Sequence, residues 1–174
     1  DSRVSRGLGD VYKRQNFPSN PTGGTLNEQQ RDDLLAFAAK HDLWIISDEV
    51  YDRIVFETEH VSFMGTGYDK LMVVNSFSKT FAMTGWRIGY IVSTNLEAMK
   101  QVVKIQYYIS ACSNDAMQYA VLEAMEKAND YPSMMATEFQ KRCKLIVDRL
   151  NAMPGVQCHQ PKGSIYVFPK VDVP

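Results

Sequence analysis

An α/β fold with a mostly parallel sheet follows from three observations. Two short continuous apolar runs, Leu43-Trp44-Ile45-Ile46 and Leu71-Met72-Val73-Val74, read as strands buried on both faces. Segments with helical apolar spacing alternate with strands in the first half of the chain, the pattern of a parallel sheet with flanking helices. Both runs also end in polar clusters, Ser47-Asp48-Glu49 and Asn75-Ser76. Ligands of such sheets bind beyond the carboxyl ends of the strands, so these clusters mark the candidate site.

Each element has its own signal. Asn16 to Gly24 carries Asn-Pro, Pro-Thr and Gly-Gly and reads as a loop. Asn27 with Gln30 forms a capping box, and Leu34, Leu35, Phe37 and Ala38 supply the apolar face of the helix that follows, to about His41. The two buried strands come next. Trp86 to Val92, rich in aromatic and β-branched residues, is a third strand. Leu96, Met99, Val103 and Ile105 give helical spacing over Leu96 to Ile109. Asp115 to Lys127 is another helix, with Met117, Ala120, Val121, Ala124 and Met125 facing inward and Glu123, Glu126 and Lys127 on the solvated side. The methionines between Met117 and Met135 read as core gap-fillers. Pro132 suits the first turn of a long helix that runs to about Leu150 and is broken by Met153-Pro154-Gly155. Val156 to His159 and Ser164 to Phe168 then read as strands.

Composition narrows the function. With 19 Lys+Arg against 20 Asp+Glu, the chain lacks the basic excess of a nucleic-acid binder. No stretch approaches the roughly 18 consecutive apolar residues of a membrane span. Cys112, Cys143 and Cys158 are odd in number and lack metal-ligand spacing, so no disulfide framework or metal is expected, and a cytoplasmic setting fits. His41, His60 and His159 likewise show no ligand spacing and read as structural or exposed.

Residues 1–15 stand apart. Asp10 to Gln15 back-translates as GAT GTG TAT AAG AGA CAG, a transposon end used in sequencing-library adapters, and Ser5 to Gly9 fits the adapter bases before it. The segment is therefore expected to be translated adapter rather than native protein. The remaining chain divides into 16–130, a partial cofactor-binding large domain, and 131–174, a linking helix with the start of a C-terminal small domain.

Three segments carry the chemistry: Pro18-Ser19-Asn20-Pro21-Thr22-Gly23, Ser47-Asp48-Glu49-Val50-Tyr51, and Ser76-Phe77-Ser78-Lys79-Thr80 running on to Gly85-Trp86-Arg87-Ile88-Gly89. In wording, order and spacing they resemble class I/II aminotransferases, pyridoxal-phosphate enzymes of fold type I. The Lys79 segment matches the family's lysine-attachment signature at every restricted position. Ala82-Met83-Thr84-Gly85-Trp86-Arg87 is similar to the bacterial subgroup that includes aspartate and aromatic aminotransferases. The resemblance covers essentially all of residues 16–174 and implies the fold type I large domain plus the start of the small domain.

The resemblance assigns roles residue by residue. Lys79 corresponds to the Schiff-base lysine, an amine that binds the aldehyde of pyridoxal 5'-phosphate and then shuttles the substrate Cα proton. A lysine taken alone is usually a surface residue; the surrounding signature makes the difference. Asp48 corresponds to the carboxylate facing the pyridine nitrogen, where an anion keeps the ring protonated as an electron sink. Taken alone it would read as a helix N-cap. Tyr51 and Asn20 correspond to donors for the cofactor's phenolic oxygen. Arg87 and Ser76 are the implied phosphate anchors, with Ser78 as a weaker third.

The implied reaction is a two-step transfer of an amino group from an amino acid to a 2-oxo acid, by a homodimer. The resemblance also places outside this chain a phosphate-binding helix start, a ring-stacking aromatic residue and the arginine that clamps the substrate carboxylate. The chain by itself is accordingly expected to show little or no activity. A carbon–sulfur lyase of the same fold and the aminotransferase-like ligand domain of a transcription regulator share the attachment signature and stay open at this point.

Overall fold

A computed structural model describes residues 12–172. The adapter-like reading of residues 1–15 therefore lies outside the described residues as far as residue 11. From Tyr12 onward the chain is a strand, β1 (Tyr12–Asn16). It leads through the Pro18–Gly24 loop to α1 (Glu28–Lys40) and β2 (Trp44–Asp48). β3 (Leu71–Ser76) runs directly into a single helical turn, α2 (Phe77–Thr80). A 3-10 turn at Thr84–Trp86 and β4 (Gly89–Val92) follow. Three helices then fill the second half: α3 (Leu96–Ser110), α4 (Asp115–Lys127) and α5 (Tyr131–Asn151). A two-residue ladder, β5 (Val156–Gln157) with β6 (Lys170–Val171), closes the described chain.

The main sheet has the order β1-β2-β3-β4. β1 and β2 are parallel, as are β2 and β3. β4 runs antiparallel to β3, so the expected third strand starts later than Trp86 and points the other way. The register pairs Asn16 with Asp48, Asp48 with Val74, and Ser76 with Gly89. Three parallel strands thus end, and the antiparallel one begins, at the same edge of the sheet. Gly89 is required there: a Cβ would sit 2.6 Å from the Asn75 carbonyl oxygen.

α1 begins as its sequence dictates. The Asn27 side chain accepts from the Gln30 N–H, and the Gln30 side chain accepts from the Asn27 N–H. The helix packs Ala38 onto Ile45, Leu71 and Val73 of the sheet, with Phe63 completing the cluster and Leu34 and Leu35 at its margin. Phe37, expected on this face, is instead 50% exposed. α4 and the 81–88 segment form a second cluster of Met83, Ile88 and Val121. Met125, expected inward, is exposed. α5 buries Cys143 and Val147 against Cys158.

One sequence expectation is met with an exposed face, and another is corrected. α3 has the expected apolar spacing but no buried residue, with Leu96 71% and Ile109 76% exposed. Spacing gives the direction of an apolar face; burial needs a partner element, and none among the described residues covers this one. Ser164 to Phe168 is not a strand. Ser164 takes φ +68°, and the backbone hydrogen bonds at and just before the start of this stretch go to loops. The Lys162 and Gly163 N–H groups donate to the Gly23 carbonyl, and the Ser164 N–H donates to that of Ile54. The segment is therefore a strut between the Pro18–Gly24 loop and the chain after β2. No described helix is long and apolar enough to cross a membrane.

Candidate active site

Parallel register places the candidate residues. Asp48 closes β2 beside Asn16 at the end of β1. The Asn16 side chain spans this edge: its amide donates to the Asp48 carbonyl at 3.1 Å, and its oxygen accepts the Asn20 N–H at 2.8 Å. Asn20 is thereby fixed next to Asp48 although the two are far apart in sequence. Arg14, Asn16, Asn20, Asp48, Val50 and Tyr51 line a cavity of about 360 Å³.

Asp48 is mostly buried and carries two contacts on its carboxylate. The Val50 N–H approaches one oxygen at 3.4 Å. The Arg14 guanidinium donates to the other at 2.7 Å. Nothing in the sequence motifs points to Arg14. It reaches Asp48 because β1 and β2 are parallel neighbours, and its side chain is largely exposed.

Tyr51 follows Asp48 in a turn and is 4% exposed. Burial, foremost, pushes its phenol far above the ordinary tyrosine range, and the neighbouring Tyr166 hydroxyl and then the Asp48 charge add to this, so Tyr51 keeps its proton. Its hydroxyl lies 2.8 Å from that of Tyr166, a second residue absent from the sequence-predicted set. The Asn20 amide donates to the same Tyr166 hydroxyl at 3.3 Å.

Lys79 stands on α2, three residues beyond the end of β3. Its Nζ lies 5.8 Å from the centroid of the Tyr51 ring. The structure thus brings together Lys79, Tyr51, Asp48 and Asn20 around one edge of the sheet.

The predicted anchors Ser76, Ser78 and Arg87 are arranged differently. The Ser76 hydroxyl caps α2 by accepting the Ser78 N–H, donates to the Ile88 carbonyl at 3.0 Å, and lies within hydrogen-bond distance of Ser78 Oγ at 2.8 Å. These two hydroxyls form one cluster, and Ser78 is buried. Arg87 adopts the left-handed conformation, φ +56°. Its guanidinium donates to the Thr84 carbonyl at 3.0 Å, and among the described residues it makes no hydrogen bond to Ser76 or Ser78.

Behind the site, Glu49 is 3% exposed. Its carboxylate accepts from Ser47 Oγ, Ser62 Oγ and the Phe63 N–H, and pairs with His60 Nε2 at 2.8 Å. Burial raises its pKa, but these four hydrogen bonds together outweigh burial and leave it below the ordinary carboxylate value. Glu49 therefore ties the 60–63 loop to the residue next to Asp48.

The donor set can be tested against pyridoxal phosphate. One edge holds an amine, a carboxylate, an amide and a protonated phenol, and two clustered hydroxyls stand at the foot of the amine-bearing turn. These match, in kind, an aldehyde, a ring nitrogen, a phenolic oxygen and a phosphate. The residues present fit the group, with Arg14 occupying one oxygen of the carboxylate.

Comparison with known proteins gives a consistent picture. The family described as aminotransferase class I and II matches residues 15–174. Aspartate aminotransferase of Thermotoga maritima is 40% identical over 158 residues, which span 90% of this chain and 41% of that protein. Aromatic-amino-acid aminotransferase 2 of Thermococcus litoralis is 34% identical over 161 residues, covering 90% of this chain and 41% of that one. Among solved structures, an aromatic aminotransferase from Pyrococcus horikoshii superposes with a TM-score of 0.84 at 37% identity, over 90% of this chain and 43% of its own. The chain thus spans about two fifths of the length of these relatives.

Proposed function

The chain belongs to the class I and II aminotransferase family, and from that premise we propose that it carries the lysine-centred pyridoxal-phosphate site of an aminotransferase. The whole protein would move an amino group between an amino acid and a 2-oxo acid. The observation that carries this reading is the convergence of Lys79, Tyr51, Asp48 and Asn20 from three separate segments onto one sheet edge. The relatives named above are aminotransferases, which supports amino-group transfer over elimination of sulfur. Their names include aspartate and aromatic amino acids, and these are the substrate classes to try first.

When bound, pyridoxal phosphate supplies a carbonyl carbon to carry the amino group and a ring to delocalise charge. Lys79 offers the attaching amine and, once free, a base positioned to take the Cα proton of the substrate. Asp48 offers the negative charge that holds a proton on a ring nitrogen. Tyr51, kept neutral, and Asn20 offer hydrogen bonds to a phenolic oxygen. Ser76 and Ser78 hold hydroxyls for phosphate, and Arg87 joins them if it leaves the Thr84 carbonyl. A homodimer and a cytoplasmic setting complete the proposal, the latter supported by three free cysteines.

Two variants test the Asp48 assignment. Asp48→Asn keeps shape but loses charge, so in the whole protein the turnover rate should fall by about 10²-fold or more, while pyridoxal-phosphate affinity falls far less. Equal loss in both would mean that Asp48 only shapes the pocket. In the chain as it stands, whose first fifteen residues are expected to be non-native, Arg14→Ala should act in the opposite sense. It frees the carboxylate of a competing cation, and equilibrium titration should show pyridoxal phosphate binding up to about five-fold more tightly, the scale of an exposed ion pair. Weaker binding would instead make Arg14 part of the cofactor site.

A further inference from the structure

We propose that Tyr166 is a positioning residue of this site, whose hydroxyl orients the Tyr51 hydroxyl and strengthens it as a hydrogen-bond donor. This rests on the reading that Tyr51 faces the cofactor. Tyr166 lies 115 residues from Tyr51 and 146 from Asn20, yet its single hydroxyl touches both. The rings meet edge to face at 5.8 Å, with an interplanar angle of 78°.

Donor capacity fixes the direction of the Asn20–Tyr166 hydrogen bond and favours one direction for the next. The Asn20 amide has protons only to give, so the Tyr166 oxygen accepts there. A hydroxyl that accepts becomes a better donor, and its nearest acceptor is Tyr51 Oη, 2.8 Å away. In the proposed arrangement Tyr166 gives its proton to Tyr51. The proton of Tyr51 is left to point elsewhere, and Tyr51 lines the cavity that Asp48 and Asn20 also line. The relay runs from Asn20 through Tyr166 to Tyr51 and out into the site.

The backbone around Tyr166 is built to hold this position. Ser164 is 1% exposed, and its N–H donates to the Ile54 carbonyl at 2.8 Å, three residues past Tyr51. The Lys162 and Gly163 N–H groups share the Gly23 carbonyl, three residues past Asn20. A Cβ at Gly163 would lie 2.7 Å from the Ile54 carbonyl oxygen, and one at Gly23 would lie 2.4 Å from Pro161 Cβ. The strut that carries Tyr166 is thus clamped to the two loops whose side chains it joins. This close fit also explains why the Ser164–Phe168 stretch abandons strand geometry.

The test uses the chain loaded with pyridoxal phosphate and follows its visible absorbance against pH in wild type, Tyr51→Phe, Tyr166→Phe and the double variant. Tyr166→Phe keeps the ring and removes one oxygen, and a thermal melt is the control for its folding. The midpoint of the titration should rise by about 0.5–1 pH unit in Tyr166→Phe, the size of one ordinary hydrogen bond. It should rise in Tyr51→Phe as well, and the double variant should match Tyr51→Phe, because Tyr166 acts only through Tyr51. An unmoved midpoint in Tyr166→Phe, or fully additive shifts, overturns the proposal while leaving the cofactor site standing. Failure of wild type to develop any visible band overturns both.

Discussion

Lys79→Ala should abolish covalent capture of pyridoxal phosphate. The amine is the one group at the site able to bond a carbonyl carbon, and no lysine is among the described residues that line the adjoining cavity. In the whole protein, loss of the Cα proton shuttle should lower turnover by about 10²–10⁴-fold. Lys79→Arg separates chemistry from packing. A guanidinium preserves the positive charge beside the Tyr51 ring, 5.8 Å from Lys79 Nζ in the present chain, but does not attach to an aldehyde under ordinary conditions. Both variants should therefore fail to retain cofactor through gel filtration, while Lys79→Arg keeps the wild-type melting temperature. Retention by Lys79→Arg at the wild-type level would remove Lys79 from the chemistry.

Glu49→Ala should be the most destabilising single change near the site, by about 3–5 kcal/mol in urea unfolding at neutral pH. It strips the acceptor from four donors at once, and the Phe63 N–H, in a residue only 1% exposed, has no water to turn to. The same carboxylate predicts a pH dependence. Its folded-state pKa lies below the ordinary value of 4.5, so the stability it contributes is complete above that value. As pH falls through the lowered folded-state pKa, that contribution disappears. Wild type should lose stability on this acid limb, and Glu49→Gln, which has no carboxylate to protonate, should lose less over the same range. Parallel acid limbs in the two proteins would assign the effect to other carboxylates.

Much of this architecture was legible in the residues. Ile45 and Val73 sit in continuous apolar runs, and such runs fit a sheet covered on both sides. Asn27 and Gln30 announced the start of α1 because a capping box is a local device. Asp48, Tyr51 and Lys79 stood out where polar residues follow apolar runs, whereas Asn20 joined them only through the resemblance to the family's motifs.

What escaped the sequence was long-range. Ile165-Tyr166-Val167-Phe168 has the side chains of a strand, but the chain just before it, Lys162 to Ser164, hydrogen-bonds to Gly23 and Ile54, a choice made by packing partners rather than propensity. Tyr166 could not be placed beside Tyr51 without that strut. Arg14 reached Asp48 only through the parallel register of β1 and β2. In α3, Leu96, Val103 and Ile105 announced an apolar face correctly, yet periodicity carries no information about what covers it. The lone turn of α2 is too short for any periodic signal and is defined by the Ser76 cap.

The central claim is that this sheet edge captures pyridoxal phosphate through Lys79. The direct measurement is to incubate the purified chain with pyridoxal phosphate, reduce with borohydride, digest, and locate the added mass by peptide sequencing in a mass spectrometer. The site described above predicts one reduced pyridoxyl-phosphate group on Lys79, formed well before any surface lysine is labelled. Labelling spread evenly over lysines such as Lys100, Lys127 and Lys170, with no preference for Lys79, would contradict it.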